Sequence, residues 1–389
     1  MAVLQAVFWL VASFVLHGVY QGMRNSLSHI PGPRLSRWTS LVNTYHWLKG
    51  QWPIYVHTLH QEYDQVCVAD LDSFKEVHRA GGRYLKTQYY RNLVPPKIYT
   101  VFSFIDPQSH SNRRRLLAAP ISDSSLARME PIIADKARLA VSRAGEEMQE
   151  RGAADVFKWW LFMATDIIGE LSFGKSFEML ESKKKNQYII DLERLSGAGP
   201  IKTTFPTLIK IAATIPLPFF KSFAEAGKRM GNYASQSLGR YEALVAENPS
   251  DPKPTLFTKL INDEKYGLTA KDIQSEAQGY IVAGSDTTAY TLTGLVYAVC
   301  KNPQARDTLA AELATLPDDF TEKDTRTLSY LGQVISEALR LYPAVGSLPR
   351  SVPPEGTEFA GYPVPGGVTV STQIYSLNRD DGLFPNPEA

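Results

Sequence analysis

Six consecutive residues, Ala283 to Thr288 (AGSDTT), place a carboxylate and two hydroxyl groups inside a strongly apolar stretch. Between Tyr280 and Val299 the single charged side chain is Asp286. A lone carboxylate is costly to bury unless a function uses it, and shifted carboxylates cluster at functional sites. An acid beside an alcohol therefore predicts a site that passes protons to a small molecule bound against this stretch.

The flanking residues predict one long helix around this stretch. Thr269 followed by Asp272 is typical of a capping box, and Asn302-Pro303 is a stop signal. We therefore expect a helix from about Thr269 to Lys301.

The middle of this helix is expected to be loosened. Gly284 removes a side chain, and Thr287 and Thr288 can bond to carbonyls one turn back, which predicts a widened groove. Two other interpretations remain open. The helix could be a core helix whose Asp286 is paired elsewhere, or a second membrane span from Tyr280 to Val299, although an aspartate at mid-membrane costs roughly 2.5–3.5 kcal/mol.

Composition narrows the class of protein. The chain has 389 residues, a net charge of +1 and two cysteines, Cys67 and Cys300. This charge balance predicts no nucleic-acid partner. Two cysteines exclude a disulfide framework, and no Cys/His cluster predicts a metal site.

The N-terminus carries the strongest membrane signal. Ala2 to Tyr20 is a 19-residue run without a charge, about the length that crosses a hydrocarbon core. Basic residues follow the run and none precedes it, which predicts an N-terminal anchor with the body in the cytosol. A cleaved signal peptide is the alternative. Pro31-Gly32-Pro33 then predicts a stiff hinge.

Two further pairs of side chains are spaced for joint action. His110 and Arg114 lie four residues apart, so on a helix they share a face that could hold an anionic group; a solvated basic helix start is the alternative. Glu337 and Arg340 lie three apart and can pair on one side of a helix, a common arrangement that usually contributes little at a surface.

Apolar periodicity and turn residues predict the remaining elements. Helices are expected at Trp52–Tyr63, Leu71–Gly81, Lys158–Phe173 and Leu328–Tyr342. Short strands and turns are expected in Leu348–Thr372. A proline-broken loop is expected at Val94–Phe104, and Ile201–Phe220 is interpreted as a lid or a membrane-grazing segment.

Several weak motifs occur in one order along the chain. They are PGPR, the H-x-x-x-R of DPQSHSNRRR, TDIIGELSFG, AGSDTT, EALRLYP, LPRSVP and NRDDGLFPNP. In this order they closely resemble the microsomal haem-thiolate monooxygenases of fungi, members of the cytochrome P-450 family. The resemblance runs from the N-terminal apolar run to the last residue.

The resemblance implies roles for individual residues. Asp286 and Thr287 would be the proton-relay pair, and Ala283 and Gly284 would form the helix surface over the haem. The haem propionates would be held by His110, Arg114 and Arg350, and Glu337 and Arg340 would be a buried structural pair. Val94–Phe104, Ile201–Phe220 and Val345–Leu348 would fall where the family builds its substrate pocket.

Two departures from the family pattern bear on activity. The family holds iron through a cysteine in a glycine-rich loop near the C-terminus, and the printed residues contain no such loop. Neither Cys67 nor Cys300 has that setting, so we expect no axial thiolate in this chain. The stretch between Tyr63 and Asp70 is also abridged, which predicts an incomplete N-terminal sheet.

Together these features predict a mainly α (α+β) cytochrome P-450 fold, incomplete, with an N-terminal transmembrane helix. Residues 1–23 would be the anchor, 24–50 a Pro-rich hinge and lead-in, and 51–389 the catalytic domain without its haem-binding segment. The resemblance implies a haem cofactor and oxygenation of a small lipophilic molecule. It also implies electrons from an NADPH-cytochrome reductase that docks on a basic face with Arg113 and Arg115.

We expect a single-pass monomer in the endoplasmic reticulum membrane that, as these 389 residues, has little or no activity. Two alternatives stay open. The sequence could be a fragment or a mis-spliced gene product of an active enzyme, or a non-catalytic membrane-tethered protein that binds a lipophilic ligand or a partner. The substrate does not follow from the sequence, because pocket loops vary freely.

Overall fold

The computed structural model describes residues 29–63, 70–94, 98–207, 209, 218–247, 255–257 and 268–388, with scattered positions among residues 5–27. The chain divides into two compact units. The first comprises Met1–Tyr89 and Val345–Ala389, and the second comprises Tyr90–Ala344.

The helices account for most of the described chain. In order they are α1 (Leu41–Leu48), α2 (Trp52–Tyr63), α3 (Leu71–His78), α4 (Gln88–Leu93), α5 (Pro107–Ala118), α6 (Asp123–Ala127), α7 (Glu130–Arg151), α8 (Val156–Phe173) and α9 (Met179–Ser182). They continue as α10 (Gln187–Gly197), α11 (Gly199–Thr204), α12 (Pro218–Glu247), α13 (Ala270–Lys301), α14 (Pro303–Leu313), α15 (Glu322–Thr325), α16 (Ser329–Leu341) and α17 (Ile374–Leu377). Short 3-10 turns lie at Arg34–Arg37 and Ala119–Ile121.

The strands belong to the first unit. They are β1 (Leu85–Lys86), β2 (Ser347–Ser351), β3 (Thr357–Phe359), β4 (Tyr362–Val364) and β5 (Thr369–Gln373). β2 lies between β1 and β5 and is antiparallel to both, with Arg350 opposite Lys86 on one side and Val370 on the other. β3 and β4 form a separate hairpin. The short strands expected in Leu348–Thr372 are thus confirmed.

The core of the second unit is built around α8 and α13. The side chain of Trp159, together with Phe162 and Ile281, is almost wholly removed from solvent. Buried residues lie on every side of α8, which is why its sequence is apolar nearly throughout. α8 ends at Gly174 in the left-handed conformation, φ 74°, as the sequence predicts.

Local signals placed the ends of α13 correctly. The hydroxyl of Thr269 accepts the N–H of Asp272, and the Asp272 carboxylate accepts the N–H of Thr269, so the capping box is complete. Asn302 caps the C-terminal end and its side chain caps the start of α14. The helices predicted at Trp52–Tyr63 and Leu328–Tyr342 are likewise present as α2 and α16.

Three expectations depend on residues that are only partly described. Among the described residues, no helix is long and apolar enough to cross a membrane, so the transmembrane helix is not supported. Most of Ala2–Tyr20 lies outside the described residues, as does the abridged stretch 64–69 with Cys67. In Ile201–Phe220 the described parts are helical, in α11 and at the start of α12, rather than loop-like.

Candidate active site

The candidate relay residues lie in the middle of α13. The Thr287 hydroxyl donates to the carbonyl of Ala283 at 2.6 Å, one turn back, as the sequence predicts. Ser285 makes the same bond to Ile281 at 2.8 Å. The helix nevertheless continues without interruption from Ala270 to Lys301. The predicted loosening at this point is therefore wrong, because these bonds are added to the helical ladder without breaking it.

Asp286 lies at an exposed position of α13. Partial burial raises the pKa of its carboxyl group, as does the negative charge of Glu193, while Lys185 acts in the opposite direction. Lys185 is itself bonded to Glu193 at 2.6 Å. An aspartate in this setting holds a proton more readily than an ordinary surface aspartate.

The carboxylate of Asp286 and the hydroxyl of Thr287 are not in direct contact. Successive side chains on an α-helix are separated by about 100° around the axis. Within the described part of the chain, no hydrogen bond joins the two groups. A proton moving from one to the other would need a bridging molecule such as water.

Ala283 and Gly284 have different surroundings. Ala283 is exposed, so its side of α13 is open to a bound group. A Cβ built at Gly284 would lie 3.4 Å from the side chain of Ile168 on α8. Gly284 thus lies close to the neighbouring helix, and the expectation that Ala283 and Gly284 form the helix surface over the haem stays a prediction.

The candidate anion-binding residues lie in both units. His110 and Arg114 are both on α5, as the sequence predicts, and Arg114 is exposed. Arg350 lies on β2 in the first unit, where its charge contributes, after burial, to lowering the pKa of His78. His110 and Arg114 thus lie on the same helix.

Arg113 contradicts the prediction of an exposed basic face. Its guanidinium is only 11% exposed and bonds to Glu276 at 3.0 Å and to Asp272 at 3.1 Å, both on α13. Arg115, in contrast, is exposed and bonds to Asn112. The three consecutive arginines gave no sign of this difference.

Glu276 is the polar residue that the sequence analysis missed. Its side chain is 2% exposed and accepts the N–H of Val101 at 2.9 Å as well as the bond from Arg113. Burial raises the pKa of Glu276, whereas the Val101 N–H and the Arg113 guanidinium lower it. The only available signal was a charge on the side of the predicted helix that also carries Ile273 and Ala277.

The predicted pair on α16 is formed but only half buried. Arg340 Nε lies 2.7 Å from Glu337 Oε2, and the second guanidinium nitrogen lies 2.6 Å from Oε1. The side chain of Arg340 is 9% exposed, whereas that of Glu337 is 50% exposed. The description as a buried pair therefore holds for the arginine alone.

Comparison with known proteins identifies the family. The profile of the cytochrome P450 family matches residues 31–389. The chain belongs to the cytochrome P450 family. Cytochrome P450 monooxygenase tazI of Aspergillus terreus is 48% identical over 395 residues, covering 99% of the chain and 81% of that protein. Cytochrome P450 monooxygenase orf2 of Aspergillus niger is 42% identical over 382 residues, covering 95% and 78%. Cytochrome P450 monooxygenase stcB of Emericella nidulans is 31% identical over 376 residues, covering 93% and 72%.

Membership of the P450 family implies a haem cofactor. The described residues are suited to contact the porphyrin and its carboxylates, but not to bind the iron. The exposed Ala283 offers a small side chain to a flat porphyrin, and His110 and Arg114 offer donors to its carboxylates. No described cysteine is placed to supply the sulfur ligand of the haem iron. Cys300 is exposed near the end of α13, 13 residues or about 20 Å along the axis from Thr287. Within the described residues of this P450, no thiolate lies beside Ala283.

Proposed function

We propose that the protein oxygenates a small lipophilic molecule, one of the secondary metabolites of a fungus. The observation that supports this function is the 48% identity to a P450 monooxygenase over 99% of the chain. The exposed surface of Ala283, with Asp286 and Thr287 on the same helix, is consistent with it. When bound, haem supplies the redox chemistry on dioxygen.

The residues of this chain bind the cofactor and move protons. His110 and Arg114 on α5 would hold the haem carboxylates by charge-assisted hydrogen bonds. Asp286 takes up protons from solvent, helped by its raised pKa. The Thr287 hydroxyl donates a hydrogen bond to the carbonyl of Ala283 and keeps its lone pairs available to a bridging water.

The cellular setting is part of the same proposal. Residues 1–23 anchor a monomer in the endoplasmic reticulum membrane, 24–50 form the hinge, and 51–389 face the cytosol. Support comes from the uncharged run Ala2–Tyr20 and the basic residues that follow it. P450 enzymes receive electrons from a reductase, and here a membrane-bound NADPH reductase docks on the face with Arg115.

The iron ligand decides whether these 389 residues act alone. The test compares the 389-residue chain with the same chain extended by the glycine-rich Cys loop of a relative, both expressed with haem supplied. The reduced, carbon-monoxide-bound spectrum is expected to show a thiolate-type band only for the extended chain. With a purified NADPH-cytochrome reductase added, we further expect NADPH-dependent oxygen uptake only there. A thiolate-type band from the 389 residues alone would overturn the predicted inactivity, and no oxygen uptake with any lipophilic substrate in the extended chain would overturn the proposed function.

A non-catalytic ligand-binding protein is the second candidate. The exposed apolar side chains on α13, Val282 at 43% and Tyr290 at 48%, favour it, because such a surface can bind an apolar molecule without haem. Binding of a lipophilic molecule by a sample without haem absorbance would support this alternative.

A further inference from the structure

The loop between α4 and α5 has a compact fold of its own in residues 98–104. The amide of Thr100 donates to the Ser103 hydroxyl at 2.9 Å, and the Ser103 amide donates back to the Thr100 carbonyl at 2.9 Å. Tyr99 stacks on Phe104 with ring centroids 5.5 Å apart. The side chains of Tyr99 and Phe102 are 48% and 44% exposed, so the loop presents aromatic rings to its surroundings.

Two polar side chains hold this loop at different points. Arg91 on α4 donates to the carbonyl of Ile98, lies 3.2 Å from the Ser103 hydroxyl, and stacks over the ring of Tyr99 at 4.1 Å. In the middle of the loop the Val101 N–H donates to Glu276 on α13. The two attachments differ, because Arg91 comes from the neighbouring helix and Glu276 lies 175 residues away.

The Glu276 carboxylate connects three elements at once. It accepts from the loop at Val101 and from α5 through Arg113, whose guanidinium also lies over the ring of Phe104 at 5.5 Å. A buried carboxylate is tolerated only while such donors surround it, and breaking one leaves the others unsatisfied. The loop, α5 and α13 are therefore held in one arrangement.

We propose that Glu276 is a positioning residue that fixes the aromatic loop 98–104 and α5 against the long helix α13. The inference rests on the proposed function in one respect, because that function assigns the haem carboxylates to residues of α5. These residues are His110 and Arg114. Loss of the carboxylate would thus release the aromatic loop and shift the candidate haem-carboxylate donors together.

The experiment measures hydrogen exchange of the backbone amides in the full 389-residue chain, without haem or substrate. In Glu276→Ala the amides of residues 98–104 are expected to exchange roughly tenfold to hundredfold faster, since a bond to a charged group is lost. Amides of α8 are expected to stay within about twofold of the unmodified chain. Glu276→Gln keeps an acceptor for Val101 and is expected to restore part of the protection.

Glu147→Gln is the matched control. Glu147 is another nearly buried carboxylate of the same unit, bonded to the Trp159 indole at 2.7 Å and to the Asp155 N–H at 3.2 Å, far along the chain from the loop. Its replacement is expected to leave exchange in 98–104 unchanged relative to α8. Loop exchange that is unchanged in Glu276→Ala, or that rises in step with α8, overturns the proposal.

The substitution to alanine could prevent folding, and Glu276→Gln then decides alone. Loop amides that exchange faster than those of α8 in this variant support the positioning role, and equal changes overturn it. Neither result requires turnover. A chain that fails to oxygenate any substrate would therefore end the proposed function without altering the measured role of Glu276 in the loop.

Discussion

The two sides of α13 differ in how closely other elements approach them. On one side, Gly284 lies close to Ile168 of α8, and Ile281 and Ser285 are buried. On the other, Val282 and Tyr290 are 43% and 48% exposed. Gly284 and the buried residues thus mark the packed side of α13, and the candidate chemistry lies on the exposed side.

This difference separates two kinds of substitution. Changes on the packed side alter the volume available to neighbours, and protein interiors tolerate such changes poorly. Changes on the exposed side remove a charge or a hydroxyl without disturbing packing. We therefore expect substitutions on the packed side to cause large losses of stability. Substitutions on the exposed side are expected to affect function and to leave stability almost unchanged.

Gly294→Ala is expected to have the largest effect. A Cβ at this position would overlap Cγ of Tyr342 at the end of α16, so either the ring or the helix must move. We expect a loss of about 3 kcal/mol in the free energy of unfolding, measured by denaturant titration. Gly279→Ala is the matched control, because among the described residues no atom lies within 4 Å of a Cβ there. It is expected to gain about 0.5–1 kcal/mol, and equal effects of the two substitutions would contradict the close approach of Tyr342 to Gly294.

Asp166 on α8 is expected to have the next largest effect, through pH. Its buried carboxyl group accepts the N–H groups of Met179 and Leu180 at 3.1 and 3.0 Å, and burial raises its pKa to about 6. Because the folded pKa lies above the unfolded value of 3.8, its contribution is fully present below pH 3.8 and is lost as the pH rises through about 6. We expect this group to lower the free energy of unfolding by about 2 kcal/mol between pH 4 and 7. Asp166→Asn should lack that decline, and an unchanged pH slope would contradict it.

The features predicted correctly are those that depend on residues close together in the sequence. The capping box of Thr269 and Asp272, and the stop at Asn302, act within a few residues, so the ends of α13 were correct. The bond from Thr287 to Ala283 spans one turn and was also correct.

Contacts between distant residues could not be predicted in this way. Arg113 lies in a run of arginines that is typical of a solvated helix start, and its burial depends on Glu276, 163 residues away. Nothing in the local sequence distinguishes Gly294 from other helical glycines, because its close neighbour is the distant Tyr342. In both cases the sequence does not indicate which residue, distant in the chain, packs against the position in question.

The Glu337–Arg340 pair should give a smaller change. Glu337 is half exposed, so solvent screens its attraction to the guanidinium. We expect Glu337→Gln to lower the free energy of unfolding by less than about 1 kcal/mol. Arg340→Met is the matched comparison and is expected to cost more, because the arginine side chain is 9% exposed. The opposite order in chemical denaturation would show that the glutamate, not the arginine, is the buried member.

Asp286→Asn is expected to have the smallest effect on stability. Because burial and Glu193 raise the pKa of this carboxyl group in the folded state, its contribution is present below pH 3.8 and is lost as the pH rises. Asparagine carries no charge at any pH, so we expect no loss at pH 7 and a gain of at most about 0.5 kcal/mol. Asp272→Asn on the same helix should have the opposite sign. Although burial opposes its ionisation, the bonds from Thr269 and Arg113 lower the pKa of Asp272, and denaturant titration should show a loss. If the two replacements lower the free energy of unfolding equally, Asp286 belongs to the packed side of α13. Its proposed part in proton delivery would then lose its structural support.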